Sequence, residues 1–324
     1  MAEKMAVAVD LGATRVRVCV GTKSSGIIRK AAKKMILSRR VDDYLAQITA
    51  IMKDLTKHSA KGQLQGICVA SPGPLDLKRG SLYHTPNLPY AEVPVVAALK
   101  DAFSVDTYLM NDANAAALGE WLWGAGRGHE NLFYLTISTG IGGGAVVDGN
   151  LLLGKDGNAA EIGHTTIDSA GRMTCGCGRP GHWEGYCSGR SIPAFARLLG
   201  DELGDKERES MARSRLLRRR ITDAAMVFDE ARRGDPFAVR VVAEIGKLNA
   251  IGVANVVDAF DPEIVTIGGG VALNNPEAIL PPIVKHLRAH AINRVPDVRI
   301  TPLEDDAGLL GALSVPFNPG LIGR

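Results

Sequence analysis

Aromatic residues are scarce in this chain, at 5% of the sequence, so its core must be built from Val, Ile, Leu and Ala. Long apolar runs are missing as well. None reaches the roughly 18 residues a membrane-spanning helix needs, so no membrane partner is expected. The N-terminus passes almost at once into a strand-like stretch, Met5 to Val9, without the apolar run and small-residue cleavage site of a secretory leader. A cytoplasmic location is therefore expected. Charge of one sign is lacking too: 38 basic residues stand against 35 acidic ones, a net charge of +3, which argues against nucleic acid as a partner. The one basic cluster, Arg213 to Arg220 (RSRLLRRR), reads as a solvated loop or helix face. Five cysteines are an odd and sparse set, which argues against a disulfide framework. Cys19 and Cys68 lie in apolar, strand-like runs and are expected in the core.

What is present is an ordinary globular balance, 46% hydrophobic and 23% charged. It is spread over 324 residues, more than a single core usually holds, so two domains are expected. Met5 to Val9 and Val16 to Val20 read as a hairpin around the turn Asp10 to Arg15. Leu45, Ile48, Ile51 and Leu55 recur at helical spacing within Asp42 to His58. Leu64 to Ala70 is a buried-strand pattern that stops at Ser71-Pro72-Gly73-Pro74. A helix over Val93 to Phe103 and a strand over Val105 to Met110 follow. The pattern then restarts: strand Leu132 to Ile137, a glycine loop, and strand Gly144 to Val147. Helices over Asp235 to Phe260, Pro276 to His290 and Gly308 to Ser314 alternate with strands Ile264 to Ile267 and Arg299 to Pro302. One strand–glycine turn–strand unit in each half suggests an internal duplication. The boundary is expected just after Asn111-Asp112, with a ligand in the cleft between the halves.

Three glycine turns sit at strand ends. In Asp10-Leu11-Gly12-Ala13-Thr14, Gly12 allows close backbone approach, Thr14 offers a hydroxyl, and Asp10 is an oxygen donor suited to hydrated Mg²⁺. Ser138-Thr139-Gly140-Ile141-Gly142-Gly143-Gly144 is not a P-loop, since no Lys-Ser/Thr follows. Nor is it a dinucleotide fingerprint, since Ala145 to Val147 reads as strand. Gly268-Gly269-Gly270 directly follows a strand and suits a loop lying flat under an adenine ring. Together the three favour a nucleotide clamp. They resemble the two phosphate motifs and the adenosine motif (Gly268 to Ala272) of the sugar kinase, heat-shock ATPase and actin superfamily. That resemblance implies an α/β fold of two ribonuclease-H-like domains that close on ATP with Mg²⁺ across an interdomain cleft. It also implies nucleotide contacts from Asp10, Gly12, Ala13, Thr14, Arg15, Thr139, Gly140, Gly142, Gly268, Gly269 and Gly270. The lysine usual after the first motif's Thr is Arg15 here, a planar guanidinium in place of a point charge. The domains expected are 1–112 with about 306–324, and 113–305.

Met110-Asn111-Asp112-Ala113-Asn114 joins a strand to a helix. Two readings fit it. Asn and Asp are preferred helix caps. Asp112 also suits a base that takes the proton of a sugar hydroxyl during phosphoryl transfer, with Asn111 offering a donor and an acceptor to a diol.

The segment from Glu161 to Glu184 is the most specific of the chain. His164, Cys175, Cys177 and His182 fit a tetrahedral Zn²⁺ site, closed by four protein ligands and so structural. The segment resembles the signature of the ROK family of sugar kinases and repressors: Glu-x-Gly-His, then Cys-x-Cys-Gly-x-x-Gly-Cys-x-Glu. It matches at Glu161, Gly163, His164, Cys175, Cys177, Gly178, Gly181 and Glu184. It departs at His182, where the family has a third Cys, and Cys187 lies close by as another sulfur. The resemblance implies sugar contacts from Gly73, Asn87, Asn111, Asp112, Glu161, His164 and Glu184, with His164 touching sugar through one ring nitrogen and zinc through the other. It implies an ATP-dependent kinase for glucose or a close relative, acting at the 6-hydroxyl as a homodimer or homotetramer. An N-acetylhexosamine or fructose kinase is the alternative. A sugar-responsive repressor would carry an added DNA-binding helix-turn-helix, for which the start of the first motif at Asp10 leaves no room.

Overall fold

Alternation in the run MAVAVDL sends Met5, Val7, Val9 and Leu11 to one face of strand β1 (Met5–Leu11) and Ala6 and Ala8 to the other, and all six are buried. The computed structural model describes residues 3–12, 15–57, 59, 62–83, 85 and 88–323. β2 (Arg15–Thr22) runs antiparallel to β1, and β3 (Gly26–Lys34) antiparallel to β2. α1 (Val41–Thr56) leads to β4 (Leu64–Ser71), which is parallel to β1. β5 (Leu75–Asp76), β6 (Ser81–Tyr83) and β7 (Glu92–Val93) make a small sheet of their own. α2 (Val95–Phe103) then leads to β8 (Asp106–Asn111), parallel to β4, and α3 (Asp112–Trp123) starts where β8 ends. The sheet order is β3-β2-β1-β4-β8.

The pattern then repeats. β9 (Leu132–Ile137), β10 (Ile141–Val147) and β11 (Asn150–Leu151) follow in sequence. Next come α4 (Glu184–Cys187), α5 (Ile192–Asp201), α6 (Asp205–Ser210), α7 (Ala224–Arg232) and the long α8 (Pro236–Phe260). β12 (Ile264–Gly268), α9 (Gly270–Asn274), α10 (Pro276–Leu287), β13 (Asp297–Ile300) and α11 (Ala307–Ser314) close the chain. The second sheet is ordered β11-β10-β9-β12-β13. In both sheets the third, second and first strands are followed by two later ones, so the same topology occurs twice. Among the described residues no helix is long and apolar enough to cross a membrane.

The chain divides into two compact units. The first is Met1–Tyr134 with Gly144–Ala160 and Asp305–Arg324, and the second is Leu135–Gly143 with Glu161–Glu304. The first unit thus runs past Asn111-Asp112, where the sequence suggests a boundary. The reason is packing: α3 lies against α11 of the same unit. On the first sheet's large-residue face, Tyr44, Ile48 and Met52 of α1 and Val95 and Leu99 of α2 pack on Val7, Val9, Val18 and Ile67. On the other face, Ala6, Ala8 and Ala70 leave room for Ala115 and Leu118 of α3 and Leu309, Ala312 and Leu313 of α11. Those two helices touch backbone to backbone. A Cβ on Gly119 would run into the carbonyl oxygen of Ala307, and one on Gly311 into that of Ala115.

In the second unit α8 is the internal support. Asp235 caps it, accepting from the N–H groups of Phe237 at 3.1 Å and Ala238 at 3.0 Å, with Pro236 at its first position. The fully buried Trp183 lies over Gly252 and donates its indole N–H to Asn249 Oδ1 at 2.9 Å, which seats the segment around residue 183 on this helix. The basic cluster forms turns, with Arg215 and Arg219 within 3.7 Å of the buried Glu230.

Gly119→Ala and Gly311→Ala should each destabilise the protein by about 1–3 kcal/mol, since overpacking outweighs the helix propensity gained. Gly308→Ala, in the same helix with its nearest neighbour at 3.9 Å, should be neutral or slightly stabilising. Urea unfolding midpoints check the contrast.

Candidate active site and metal centre

Asp10 is the penultimate residue of β1, and hairpin register sets it opposite Arg17. Its Oδ2 accepts from Arg17 Nε at 2.7 Å and pairs with Arg17 Nη2, while Arg17 Nη1 donates to the Asp305 carbonyl at 2.5 Å. The carboxylate suggested for hydrated Mg²⁺ is therefore oriented by a guanidinium that the motif reading missed. Counting register across the hairpin would have found this opposite-charge pair. A Cβ on Gly12 would lie 2.9 Å from the Arg15 carbonyl oxygen, and Arg15 is exposed at the start of β2. Ala13, Thr14 and Asn87 lie outside the described residues. Gly73 is half-buried in the turn after β4.

At the β8–α3 junction the capping role falls on Asn111. Its Oδ1 accepts from the N–H groups of Ala113 at 2.9 Å and Asn114 at 3.1 Å. Asp112 is instead the first helical residue, with Oδ1 accepting from Ala113 N–H at 2.8 Å. The cap that the sequence allows at either residue is thus Asn111. Asn111 ends the strand and starts the helix; Asp112 is a half-buried carboxylate at the positive end of the α3 dipole, where negative charge is favoured.

In the second unit the glycine run is shorter as a loop than its sequence suggests. Strand β10 begins at Ile141, so Gly142, Gly143 and Gly144 are strand residues and the turn is Ser138, Thr139 and Gly140. The strand expected from Gly144 thus begins three residues earlier, at Ile141, because the glycines continue the ladder. The third run is corrected in the same way: Gly268 ends β12, Gly270 begins α9, and Gly269 alone turns between them at φ 87°. A Cβ on Gly269 would lie 2.5 Å from Thr136 Oγ1 and 2.7 Å from the Ile137 carbonyl oxygen, so this turn rests on the end of β9. The Ser138–Gly140 turn is held from the other side: Gly189 N–H donates to the Ser138 carbonyl at 2.7 Å and Arg190 N–H to the Thr139 carbonyl at 3.3 Å.

His164, Cys175, Cys177 and His182 come together, with one ligand atom from each lying within 4.8 Å of all the others. Cys175 Sγ is 3.7 Å from His164 Nδ1, and Cys177 Sγ is 3.3 Å from His182 Nδ1. Bonds of about 2.0–2.3 Å in a tetrahedron give edges of about 3.3–3.8 Å, so the donor set fits Zn²⁺. Cys187 stands apart. It is fully buried, with Sγ facing the Ile245 carbonyl at 3.8 Å, and burial pushes its thiol up. The fourth candidate donor is therefore His182 rather than Cys187. Burial, helped by His164 and Arg179, holds the His182 imidazole below its ordinary value and so in the neutral form a metal requires. Burial pushes the Cys175 thiol up to about 12.

The sugar-contact candidates of this unit border that cluster. His164 turns Nδ1 to Cys175 and places Nε2 3.9 Å from Glu161 Oε2. Burial raises the Glu161 carboxyl, with His164 pulling it back and Glu184 adding to the rise. Gly163 lets this stretch lie against the start of β10, where a Cβ would meet the Ile141 carbonyl. Glu184 opens α4, between the cluster and the glycine turn.

A family model for the ROK family matches residues 6–316. A glucokinase of Aeropyrum pernix is 38% identical over 322 residues, 97% of each chain. The ROK hexokinase of Thermus thermophilus superposes with a TM-score of 0.82 at 32% identity, over 98% of this chain and 100% of that one. A ROK family glucokinase of Streptomyces griseus, solved with glucose and AMPPNP, gives a TM-score of 0.76 at 28% identity, covering 96% and 98%.

Asn111→Ala should cost about 1 kcal/mol through the lost cap, while Asn111→Asp, which keeps both backbone bonds, should stay close to the parent. Thermal unfolding of the two variants distinguishes capping from a role confined to ligand.

Proposed function

As the chain belongs to the ROK family, we propose that it transfers the γ-phosphoryl group of ATP to the 6-hydroxyl of a hexose, glucose or a close relative. The observation that carries this reading is the posture of His164, one ring nitrogen facing the four-donor cluster and the other facing Glu161. A metal on Nδ1 would fix the tautomer and direction of this ring, as suits a group selecting among sugar hydroxyls.

In this reading Asp112 takes the proton of the attacking hydroxyl, and Asn111, Gly73, Asn87, Glu161, His164 and Glu184 hold the others. A sugar hydroxyl is a weak nucleophile, and a carboxylate within hydrogen-bond reach makes attack productive. The turn Ser138–Gly140 and the turn at Gly269 contact the nucleotide, as do Gly12 and Arg15. Asp10, aligned by Arg17, would hold hydrated Mg²⁺, which would neutralise charge on the phosphates of ATP. His164, Cys175, Cys177 and His182 would hold Zn²⁺ as a closed structural site, which would supply a rigid knot rather than an activated water. The enzyme acts in the cytoplasm as a homodimer or homotetramer.

A coupled kinase assay over glucose, mannose, fructose and N-acetylglucosamine should give the highest kcat/KM with glucose. Asp112→Asn should lower kcat by about 10²–10⁴-fold with its unfolding midpoint kept; turnover equal to the parent would remove Asp112 from the chemistry. Zinc should bind at one ion per chain. Because the metal takes a thiolate and the Cys175 thiol lies at about 12, loading releases protons and affinity rises with pH. A chelator should strip the ion faster at about pH 6 than at about pH 8, as metal analysis after dialysis would reveal.

A further inference from the structure

Glu184 is the side chain that ties the metal cluster to the glycine turn. Its Oε2 accepts from the backbone N–H of Ile141 at 2.9 Å, where the turn becomes β10. Its Oε1 lies 3.5 Å from Cys175 Sγ. Gly140 is fitted to this contact: a Cβ there would lie 2.5 Å from Glu184 Oε2. Backbone bonds from Gly189 and Arg190, just beyond α4, also tie the turn. Glu184 is the first residue of α4, so the helix grips the turn from its start by a carboxylate and from beyond its end by peptide N–H groups.

We infer that Glu184 is a positioning residue for the phosphate-binding turn, holding the Ile141 amide so that Ser138–Gly140 keeps its shape before any sugar arrives. The inference rests on reading that turn as a nucleotide contact, and it goes beyond a role for Glu184 as a hydroxyl acceptor. A group that only touched sugar would have no effect on nucleotide affinity in the absence of sugar. A carboxylate accepting from a backbone N–H is a charge-assisted bond, stronger than a neutral one. Truncating it leaves the buried Ile141 N–H without its partner and gives the turn more conformations to lose on binding.

The test uses the full, metal-loaded protein without sugar, with AMPPNP as the probe. Glu184→Ala should weaken AMPPNP binding about tenfold. Glu184→Gln, whose amide oxygen can still accept from Ile141 N–H, should stay within about twofold of the parent. Hydrogen exchange should show the Ile141 amide losing protection in Glu184→Ala and keeping most of it in Glu184→Gln, with the β12 amides unchanged in both. A general loss of stability would instead raise exchange throughout the unit. Equal AMPPNP affinity in parent and Glu184→Ala would overturn the inference, as would unchanged Ile141 exchange. If the parent itself fails to bind AMPPNP, the nucleotide reading of the turn falls, and Ile141 exchange alone then decides whether Glu184 holds it.

Discussion

Where Asp112 stands is decided by two glycines that are far from any chemistry. Gly119 and Gly311 let α3 and α11 meet backbone to backbone, and a Cβ on either would occupy a carbonyl position of the other helix. The small face of the first sheet, with Ala6, Ala8 and Ala70, gives the pair its seat. Asp112 is the first residue of α3, so any tilt of that helix moves its carboxylate. Displacing a reacting group by about 1 Å can cost about 10²-fold in rate. Small residues at this contact therefore set the position of the Asp112 carboxylate, on which its proposed role as base would depend.

The second unit solves a different problem, that of packing acids beside a cluster of four potential metal donors. Glu161 and Glu184 both border the cluster of His164, Cys175, Cys177 and His182. With three thiolates and one imidazole, a bound Zn²⁺ would carry one net negative charge. With two of each it is neutral. His182 in place of a thiolate thus lessens the repulsion on two neighbouring carboxylates, one of which burial already pushes toward the protonated form. The departure from the family pattern keeps a complete donor set while changing its charge.

Much of this was legible in the sequence. Period-2 and period-3.6 patterns mark most long elements, and the doubled strand–turn–strand units correspond to two sheets of the same order. What the patterns hide has physical causes. β3 presents a mixed face, half-buried and exposed residues alternating without a strong apolar period. α6 buries none of its residues, so it carries no apolar stripe. Glycines read as loops become strand in β10, because a ladder constrains backbone that sequence alone shows only as permissive. The metal cluster was readable because donor residues are chemically distinctive. The Glu184–Ile141 contact was not, since its acceptor meets a peptide N–H that every residue but proline carries.

Arg15 and Arg17 divide two roles that one lysine could not fill. Both lie on the same face of β2 by alternation. Arg17 uses its fork on Asp10 and on the Asp305 carbonyl, which needs several donors in fixed geometry and so suits a guanidinium. That pairing removes the repulsion a bare Asp10 carboxylate would exert on a polyphosphate. Arg15, exposed at the mouth of the same turn, then leaves the hairpin with a net positive charge toward an anionic ligand. Replacing the family's lysine by Arg15 preserves this balance, while the position of Asp10 depends on Arg17, two residues further along the strand.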